Sequence, residues 1–307
     1  MEKRALHTCC IFLMLLLAGC DQAPKDKNLQ TDTPLQGTIR ISVDESFKPV
    51  IQEEIKVYEV SHPNAHLLVS YKSEADCFRD IQKDSTRMII VARGLKKEET
   101  TFFENTVSFR PQYDIVAYDA VAVIINAKAK DSVFTLEKLK NILSGKIKIT
   151  AVMDGRNATS TVRYLEDSLM RGTAFGDNVV AANGSAAVVE IVSKTEDAIG
   201  LVGLSWVGDM NDPKQAENLK KIHLALVECV KCEEKGMFAK PSQATITYAQ
   251  YPLARPLYYI VKENATGLGT GFANFMSLER GQLIFRRATL VPAKINFKVR
   301  GTGIKEQ

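Results

Sequence analysis

The chain has 307 residues, of which 45% are hydrophobic and 25% are charged. This balance is typical of folded globular proteins, and the length is sufficient for two domains. The formal net charge is only +4, and the lysines and arginines are spread along the sequence without a basic block. No nucleic-acid partner is therefore expected.

The first residues have the features of an export signal. Two basic residues precede an apolar run that ends at Ala18 and is shorter than the ~20 residues that a membrane-spanning helix needs. The run leads into Leu17-Ala18-Gly19-Cys20, which resembles the bacterial lipobox, where the cysteine is lipidated. We predict a lipoprotein signal peptide over residues 1–19 and lipidation of Cys20. An ordinary signal peptide with a chance cysteine is the alternative.

Residues 20–37 are polar and show neither a helical nor a strand period. Such a composition is typical of a flexible linker. We predict a flexible tether here, which joins a lipid anchor to the folded body. The protein is thus expected to be exported, lipid-anchored to a bacterial membrane and facing the periplasm.

The following part alternates strand-like and helix-like segments. Thr38–Val43, Ala65–Tyr71 and Met88–Ala92 are apolar and rich in β-branched residues, which predicts strands. Phe47–Tyr58 and Cys77–Lys83, which lie between them, have helical patterns. This alternation predicts an α/β layer with parallel strands.

A second α/β block begins with a long apolar strand at Ile115–Asn126. It continues with a helix, a strand, two helices and a strand, at Thr135–Leu143, Lys148–Met153, the segment that opens at Thr159, Ser185–Lys194 and Ala198–Leu204.

The last part of the chain has too few elements to form a domain of its own. Strands are predicted at Thr245–Tyr248 and Leu257–Val261, and helices at Gly271–Glu279 and Gly281–Arg287. We expect this part to return to the first block and complete it.

The predicted fold class is therefore α/β with two lobes. Lobe 1 would comprise residues 38–117 and 246–300, and lobe 2 residues 118–245, with crossing segments near 115–120 and 245–250. Ligands of open α/β sheets favour the carboxyl ends of strands. Because each lobe has a polar strand-to-helix turn there, the two turns are expected to face each other across a cleft.

Three consecutive hydroxyl residues, Thr159, Ser160 and Thr161, form the turn of the second block. A helix start offers unpaired N–H groups and the positive end of the helix dipole, and the hydroxyls add neutral donors. The segment therefore suits a small oxyanion. A plain helix cap is the alternative, although a cap needs only one hydroxyl.

Three cysteines lie beyond the signal region. In an exported protein, the spacing of Cys229 and Cys232 predicts a local disulfide, with a redox-active pair as the alternative. A zinc site would need more ligands, and His223 is the only nearby candidate, so no metal is expected. Cys77 is expected to be buried and unreactive.

Five segments match one known family in order and spacing. They are Ser46–Pro49, Phe134–Lys146, Ala198–Gly203, Tyr251–Tyr258 and Gly281–Pro292. From about Thr38 to Lys298, the chain thereby resembles the phosphate-binding subunits of bacterial phosphate ABC transporters, within the type II periplasmic binding proteins. The resemblance implies the two-lobed fold of that group, with the ligand in a cleft between the lobes.

The resemblance also implies the residues that contact the anion. Lobe 1 would contribute the Ser46 hydroxyl, the N–H of Phe47 and Ser73, which stands near a family serine donor. Lobe 2 would contribute Thr159, Ser160 and Thr161, in place of the Ser-Gly-Thr triplet of the family.

Arg93 marks a departure from the family pattern. The family has an aspartate near this place, which accepts the proton of bound hydrogen phosphate. A guanidinium only donates hydrogen bonds, so Arg93 is expected to supply charge to a fully ionised anion. Otherwise another carboxylate such as Asp44, Glu45 or Glu74 must accept the proton.

A second departure concerns the arginine that the family has before its triplet. Arg156 and Arg163 lie near that position and are candidates for a bidentate contact with the oxyanion. For Arg163, a solvated helix residue is the alternative.

The expected function is that of an extracytoplasmic solute-binding lipoprotein. It would capture inorganic phosphate as a monomer without a cofactor and deliver it to the membrane subunits of an ABC transporter. The same fold binding sulfate or another tetrahedral oxyanion is one alternative, and a phosphate-sensing lipoprotein without a transport role is another. A phosphoester hydrolase is disfavoured, because the sequence offers neither a metal-ligand set nor an activated nucleophile.

Overall fold

A computed structural model describes residues 32–155 and 158–295. The predicted signal peptide, Cys20, most of the predicted tether and Arg156 lie outside the described residues. Within these two ranges, no helix combines the length and the apolar character that crossing a bilayer requires.

The strands of the described residues are β1 (Gly37–Asp44), β2 (Ala65–Lys72), β3 (Thr86–Val91), β4 (Gln112–Asn126), β5 (Val133–Phe134), β6 (Thr150–Met153), β7 (Val179–Ala181), β8 (Ala198–Gly203), β9 (Ile222–Leu224), β10 (Leu226–Glu228), β11 (Phe238–Ala239), β12 (Ala254–Val261) and β13 (Val291–Pro292). The α-helices are α1 (Lys48–Ser61), α2 (Glu74–Ile81), α3 (Lys97–Val107), α4 (Leu136–Leu143), α5 (Ser160–Leu165), α6 (Ser185–Lys194), α7 (Pro213–Asn218), α8 (Gln243–Thr247), α9 (Leu268–Ser277) and α10 (Glu279–Arg287).

Most strands belong to one long sheet with the order β2-β1-β3-β12-β4-β8-β6-β7, to which β9 and β13 add on β4. The pairs β1–β2, β1–β3, β6–β7 and β6–β8 are parallel, as the alternating pattern predicted. The strands β12 and β4 pair with their neighbours antiparallel. A small second sheet contains β11, β10 and β5.

Among the described residues, the long sheet carries one large apolar core at each end and a smaller third cluster, in which α2 and α3 pack on β3 and β12. The first core packs β1 and β3 against α1, α9 and α10, with Ile41, Ile51 and Phe272 fully buried. The second core packs β4, β6 and β8 against α4 and α6, with Val123, Leu139 and Val188 fully buried. We refer to these parts as the first half and the second half. The helices α9 and α10 complete the first half.

Two strands belong to both halves. In β4, Val116 and Ala117 pack in the first core, whereas the residues from Ala120 onward pack in the second. In β12 the change falls between Ala254 and Leu257. Tyr251 and Leu253, which follow the predicted crossing segment 245–250, pack in the second core.

Several local elements differ from the predictions or were not predicted. The predicted strand Thr245–Tyr248 is the helix α8, because Ser242 and Thr245 cap each other's backbone N–H groups. Helix α3 was not predicted, since Phe103 is its one fully buried residue and the apolar period is weak. At the predicted tether, the described residues 32–36 form an ordered turn, in which Asp32 pairs with Arg87 at 3.3 Å and caps Leu268 N at 2.6 Å.

Candidate anion-binding site

The first part of the site follows β1. The chain leaves the strand at Asp44 and makes a short 3-10 turn through Glu45–Phe47 before α1 begins. The Ser46 N–H donates to Asp44 Oδ1 at 3.1 Å, which fixes the turn. Ser46 and Phe47 are buried here, at the carboxyl end of a parallel strand.

The second part follows β6 and opens helix α5. Thr159 caps this helix, since its hydroxyl accepts from Val162 N at 3.3 Å. The same hydroxyl donates to Asp154 Oδ1 at 2.7 Å, and the Thr161 hydroxyl donates to Asp154 Oδ2 at 2.8 Å. Asp154, the residue after β6, therefore holds two of the three predicted donors.

Ser46 joins the two parts. Its hydroxyl donates to Asp154 Oδ2 at 3.1 Å and lies 3.4 Å from Thr161 Oγ1. The Ser160 hydroxyl donates to Ser46 Oγ at 3.4 Å. We call Ser46, Thr159, Ser160 and Thr161 the hydroxyl cluster. Residues more than a hundred positions apart, from the two halves of the molecule, thus share one set of hydrogen bonds.

Arg255 of β12 supplies the positive charge at the hydroxyl cluster. Its Nη1 donates to Ser160 Oγ at 3.0 Å and to Thr161 Oγ1 at 3.4 Å. Its Nε donates to Asp119 Oδ2 of β4 at 3.0 Å, and the two side chains are fully buried. Burial raises the pKa of Asp119, and the charge of Arg255 opposes this rise. The pair is therefore a buried ion pair with one guanidinium nitrogen directed at the hydroxyls.

Asp44 is a buried carboxyl beside the hydroxyl cluster whose pKa lies far above its usual value. Burial and the nearby Glu74 carboxylate raise its pKa to about 7, although the charge of Arg255 and the hydrogen bond from Ser46 N oppose this shift. Asp44 Oδ2 is buried and has no hydrogen-bond partner among the described residues. Asp44 is thus a carboxyl that titrates near neutral pH beside the hydroxyl cluster.

The backbone approaches the site closely at Gly203, the last residue of β8. A Cβ atom at this position would lie 2.9 Å from Ser46 O and 3.2 Å from Arg255 Nη2. The neighbouring Ser205 hydroxyl donates to Ser46 O at 2.9 Å. Only a glycine therefore fits where the second half packs against the turn after β1.

Two carboxylates of the first half, near the site, each contact a residue of the second half. Glu74, at the start of α2, forms an ion pair with Arg163 of α5 and also accepts from Ala92 N at 2.9 Å. Burial acts to lower the pKa of Arg163, but the Glu74 carboxylate outweighs it and raises the pKa. Glu45 accepts from Ser185 Oγ at 2.8 Å, at the start of α6. Burial raises the pKa of Glu45, and the Ser185 hydrogen bonds oppose the rise.

Arg93 and Ser73 do not join the hydroxyl cluster. The Arg93 guanidinium forms two hydrogen bonds of 2.8 Å with Glu99 and lies 3.5 Å above the Phe78 ring. The Ser73 hydroxyl caps α2 and donates to Asp76 at 2.7 Å. Of the predicted donors, the structure brings together Ser46, Thr159, Ser160 and Thr161, with the buried Phe47 beside them.

Sequence reasoning missed Asp154, Asp119 and Arg255 as members of the site. Asp154 directly follows the strand that leads into the loop of the hydroxyl residues. This position could have indicated that its carboxylate lies beside them. Arg255 lies in a segment that the sequence analysis used only for its resemblance to the family. A lone arginine within an apolar strand pattern would have indicated a buried carboxylate partner.

A large groove of about 1140 Å³ lies beside the site, lined among others by Lys48 of α1, Trp206 and Arg287 of α10. Ser205 and Trp206 line the groove and also contact the turn after β1, through hydrogen bonds to Ser46 O and Glu45 O, and none of the hydroxyl cluster lines the groove. The hydroxyls are closed off by their own contacts.

The cysteines lie away from the site. Cys229 and Cys232 form a disulfide in the loop between β10 and β11. Cys77 is a buried free cysteine in α2, and burial raises its pKa well above the usual value.

Two α/β halves that share two strands and meet at a buried polar cluster define a two-lobed binding-protein fold. Comparison with sequence families agrees with this fold. Residues 28–279 match the family described as a PBP superfamily domain. The chain belongs to this family, and the predicted fold class is confirmed.

Similar proteins carry related names. A phosphate-binding protein PstS of Staphylococcus haemolyticus is 24% identical over 75% of this chain and 72% of its own length. A PstS of Pseudomonas aeruginosa is 23% identical over 81% and 80%, respectively. These relatives confirm the resemblance that the sequence segments indicated.

Solved structures agree on the fold. A candidate phosphate ABC transporter substrate-binding protein of Clostridium perfringens, crystallised with bound phosphate, has a TM-score of 0.70 at 20% identity and covers 84% of this chain and 100% of its own. An ABC-type phosphate transport receptor of Vibrio cholerae has a TM-score of 0.60 at 17% identity, with coverages of 83% and 100%.

Proposed function

We propose that this chain is an extracytoplasmic solute-binding lipoprotein, which captures inorganic phosphate between its two halves and delivers it to the membrane subunits of an ABC transporter. The names of the relatives support the ligand and the partner. In this proposal the protein binds and releases its ligand without chemical turnover, as a monomer and without a cofactor.

One observation carries the proposal. Ser46 from the first half and Thr161 from the second lie 3.4 Å apart, and both donate to one carboxylate. Converging neutral donors are suited to replace the water shell of a small oxyanion. Arg255 adds a guanidinium, which strengthens hydrogen bonds to an ionised acceptor.

Binding and release require that the hydroxyl cluster open. The two halves are connected in the sheet by β4 and β12, so small rotations of these strands near Ala117–Ala120 and Ala254–Leu257 would separate Ser46 from Thr161. The Glu74–Arg163 and Glu45–Ser185 contacts would break in this movement and re-form on closure. Closure would then exclude water from the anion.

The proposal is tested by thermal-shift and calorimetric titrations of the soluble form that begins after residue 20. We expect inorganic phosphate to raise the melting temperature and to bind with one site per chain. The variant Ser46→Ala combined with Thr161→Val should lose at least about tenfold in affinity, since hydrogen bonds to charged groups contribute about 1.5–3 kcal/mol each. Thr106→Val, on an exposed turn of α3, is the matched control.

The proposal does not survive if phosphate binds neither form, or if the double variant binds it as tightly as the control. Measured turnover of a chromogenic phosphoester would instead support the hydrolase alternative.

The lipid anchor is tested separately. Cys20→Ser in the full chain should move the protein from the membrane fraction to the soluble fraction, because no lipid can be attached. Retention of the variant in the membrane fraction would contradict the lipoprotein part of the proposal and leave the ligand untouched.

A further inference from the structure

Three strongly exposed apolar side chains lie near one another in the first half. Leu35 is 58% exposed, Val60 77% and Leu278 66%. They belong to the turn 33–36, the last turn of α1 and the junction between α9 and α10. In the described ranges, six large apolar side chains are at least 58% exposed, and these are three of them. Single exposed apolar residues need no explanation, whereas a group of them marks an interaction site.

The turn 33–36 is fixed to α1 and to α9. The Tyr58 hydroxyl, in the last turn of α1, donates to Pro34 O. A Cβ atom at Gly271 of α9 would lie 2.6 Å from Pro34 Cα, so the turn packs directly on that helix. Leu35, the next residue, therefore lies beside the end of α1.

Val60 and Leu278 flank one hydrogen bond between α1 and α10. Arg280 Nη1, two residues after Leu278, donates to Ser61 Oγ at 3.3 Å, and Ser61 directly follows Val60. The three apolar side chains thus share one end of the first half. We refer to Leu35, Val60 and Leu278 as the apolar pole.

The charged side chains at the surface beside the apolar pole nearly balance. Lys56 and Arg280 are positive, whereas Glu53, Glu59 and Glu279 are negative. Lys56 lies 3.8 Å from Glu53, so part of this charge is already paired. The surface therefore offers no positive excess to an acidic partner. Its occupant must be recognised by apolar contact.

We propose that the apolar pole rests on the lipid bilayer that holds the anchor at Cys20. The inference rests on the proposed function, through its lipid anchor, and adds the surface with which the folded body contacts the membrane. Apolar side chains on a folded surface enter the boundary between headgroups and acyl chains without spanning the bilayer.

The position of the predicted tether supports a bilayer as the occupant. Asp32 caps Leu268 N at the start of α9 and pairs with Arg87, so the chain is fixed to the first half at this residue. From Cys20 to Asp32 the chain advances twelve residues, which span at most about 40 Å. A lipid at Cys20 would thus keep this end of the body close to the bilayer. A short linker raises the effective concentration of a surface to about the millimolar range, so weak apolar contact is sufficient.

The second half has a comparable group of exposed side chains. Val230, Met237 and Tyr248 are 58%, 46% and 61% exposed. Cys229 N donates to Met237 O at 2.9 Å and Val230 N donates to Gln250 O at 3.3 Å, which holds them near the disulfide loop. We call Val230, Met237 and Tyr248 the second-half patch. Because the tether joins the first half, this patch is the matched comparison.

Contact at the apolar pole would set the distance of the anion site from the bilayer. Helix α1 begins at Lys48, directly after the turn of Ser46, and ends at Ser61 beside the pole. Its 14 residues span about 20 Å. The hydroxyl cluster would therefore stand up to about 20 Å from the membrane surface, at the end of α1 that faces away from it.

Amide hydrogen exchange of the full lipidated chain in vesicles of phosphatidylethanolamine and phosphatidylglycerol tests the inference. The soluble form that begins after residue 20, without vesicles, is the reference. We expect residues 58–64 and 276–281 to exchange at least about threefold more slowly on the vesicles. Residues 228–237 and 246–250, around the second-half patch, should exchange equally in the two samples. Because the contact is apolar, about 0.5 M salt should leave the protection unchanged.

The variant Val60→Ser combined with Leu278→Ser should lose this protection and stay in the membrane fraction, since the lipid is unaffected. Val230→Ser combined with Met237→Ser is the matched control and should keep the protection. We expect both double variants to bind phosphate within about twofold of the wild type, because the four side chains are exposed and distant from the hydroxyl cluster.

Equal exchange of residues 58–64 and 276–281 on vesicles and in the reference overturns the inference while phosphate binding stands. Protection that persists in the Val60 and Leu278 variant, that appears at the second-half patch instead, or that disappears in salt overturns it too. A full chain that stays in the soluble fraction rejects the lipoprotein part of the proposed function, and the inference with it.

Discussion

The hydroxyl cluster and Arg93 are the two places in the sequence that suggest an anion, and they have different surroundings. The cluster assembles hydroxyl donors from two distant segments around Asp154 and Arg255. Arg93 is bound by Glu99, six residues further along the chain, and by the Phe78 ring. An arginine at a strand end is therefore a weak indicator of a site when a carboxylate that can reach it lies in the next helix.

The comparison also shows how charge is distributed. The Arg93–Glu99 pair is partly exposed, with about a fifth of each side chain in contact with solvent, whereas the Arg255–Asp119 pair is fully buried. Burial makes the second pair costly to break, because the remaining ion would be left without water. Substitutions of the two arginines should consequently have unequal effects.

Arg255→Met should have the largest effect on stability. It leaves Asp119 buried and unpaired, and breaking a buried pair in this way costs about 3–5 kcal/mol. Urea unfolding measures the loss, with Arg93→Met as the matched variant, for which we expect about 1 kcal/mol or less. Combining Arg255→Met with Asp119→Asn should recover part of the loss. If the two substitutions lowered the free energy of unfolding by the same amount, the proposed difference between the buried and the partly exposed ion pair would be wrong.

Asp44 should make stability depend on pH. Its pKa is raised from 3.8 to about 7 in the folded state, so the folded chain binds the proton that the unfolded chain has released between these values. The free energy of unfolding should therefore fall as pH rises from about 4 to about 7, by at most about 4 kcal/mol from this group. Unfolding of the wild type and Asp44→Asn across this range isolates the contribution.

A parallel pH dependence in wild type and Asp44→Asn would contradict this assignment. Asp177→Asn should follow the wild type, since it changes an exposed carboxylate.

The Glu74–Arg163 ion pair should affect phosphate affinity through closure of the halves. We expect Glu74→Gln and Arg163→Met each to weaken binding by about tenfold, and the double variant by no more than either one, since the two residues act as one contact. If Arg163 contacts the anion directly, Arg163→Met will weaken binding more than Glu74→Gln does. Calorimetric double-mutant cycles distinguish these outcomes.

Arg93→Ala should have the smallest effect on binding. The contacts of its guanidinium are with Glu99, Gly94 and Phe78, so we expect phosphate affinity to change by less than about twofold. A loss of tenfold or more, measured by calorimetry, would place Arg93 in the site after all and would favour a fully ionised ligand.

The sequence predicted much of this fold because its signals are local. Alternating apolar segments identified β1, β2, β3, α1 and α6 nearly to their ends. Helix α8 was missed because Thr245 and Ile246 favour strands intrinsically, while the Ser242 cap decides otherwise.

The site was only partly predictable for a related reason. Thr159, Ser160 and Thr161 are consecutive in the sequence, so their pattern is visible without a structure. Arg255 and Asp119, by contrast, lie on two strands that are more than a hundred residues apart in sequence and pair only in the fold. Their pairing depends on the register of β12 on β4, which no local pattern encodes.

A crystal structure of the soluble chain grown with abundant inorganic phosphate tests the central claim most directly. We predict one phosphate within hydrogen-bond distance of Ser46 and Thr161, with Asp154 no longer accepting from both hydroxyls. A structure in which phosphate is absent from this place, while Asp154 still accepts from Ser46 and Thr161, would contradict the claim that the two halves bind an oxyanion between them.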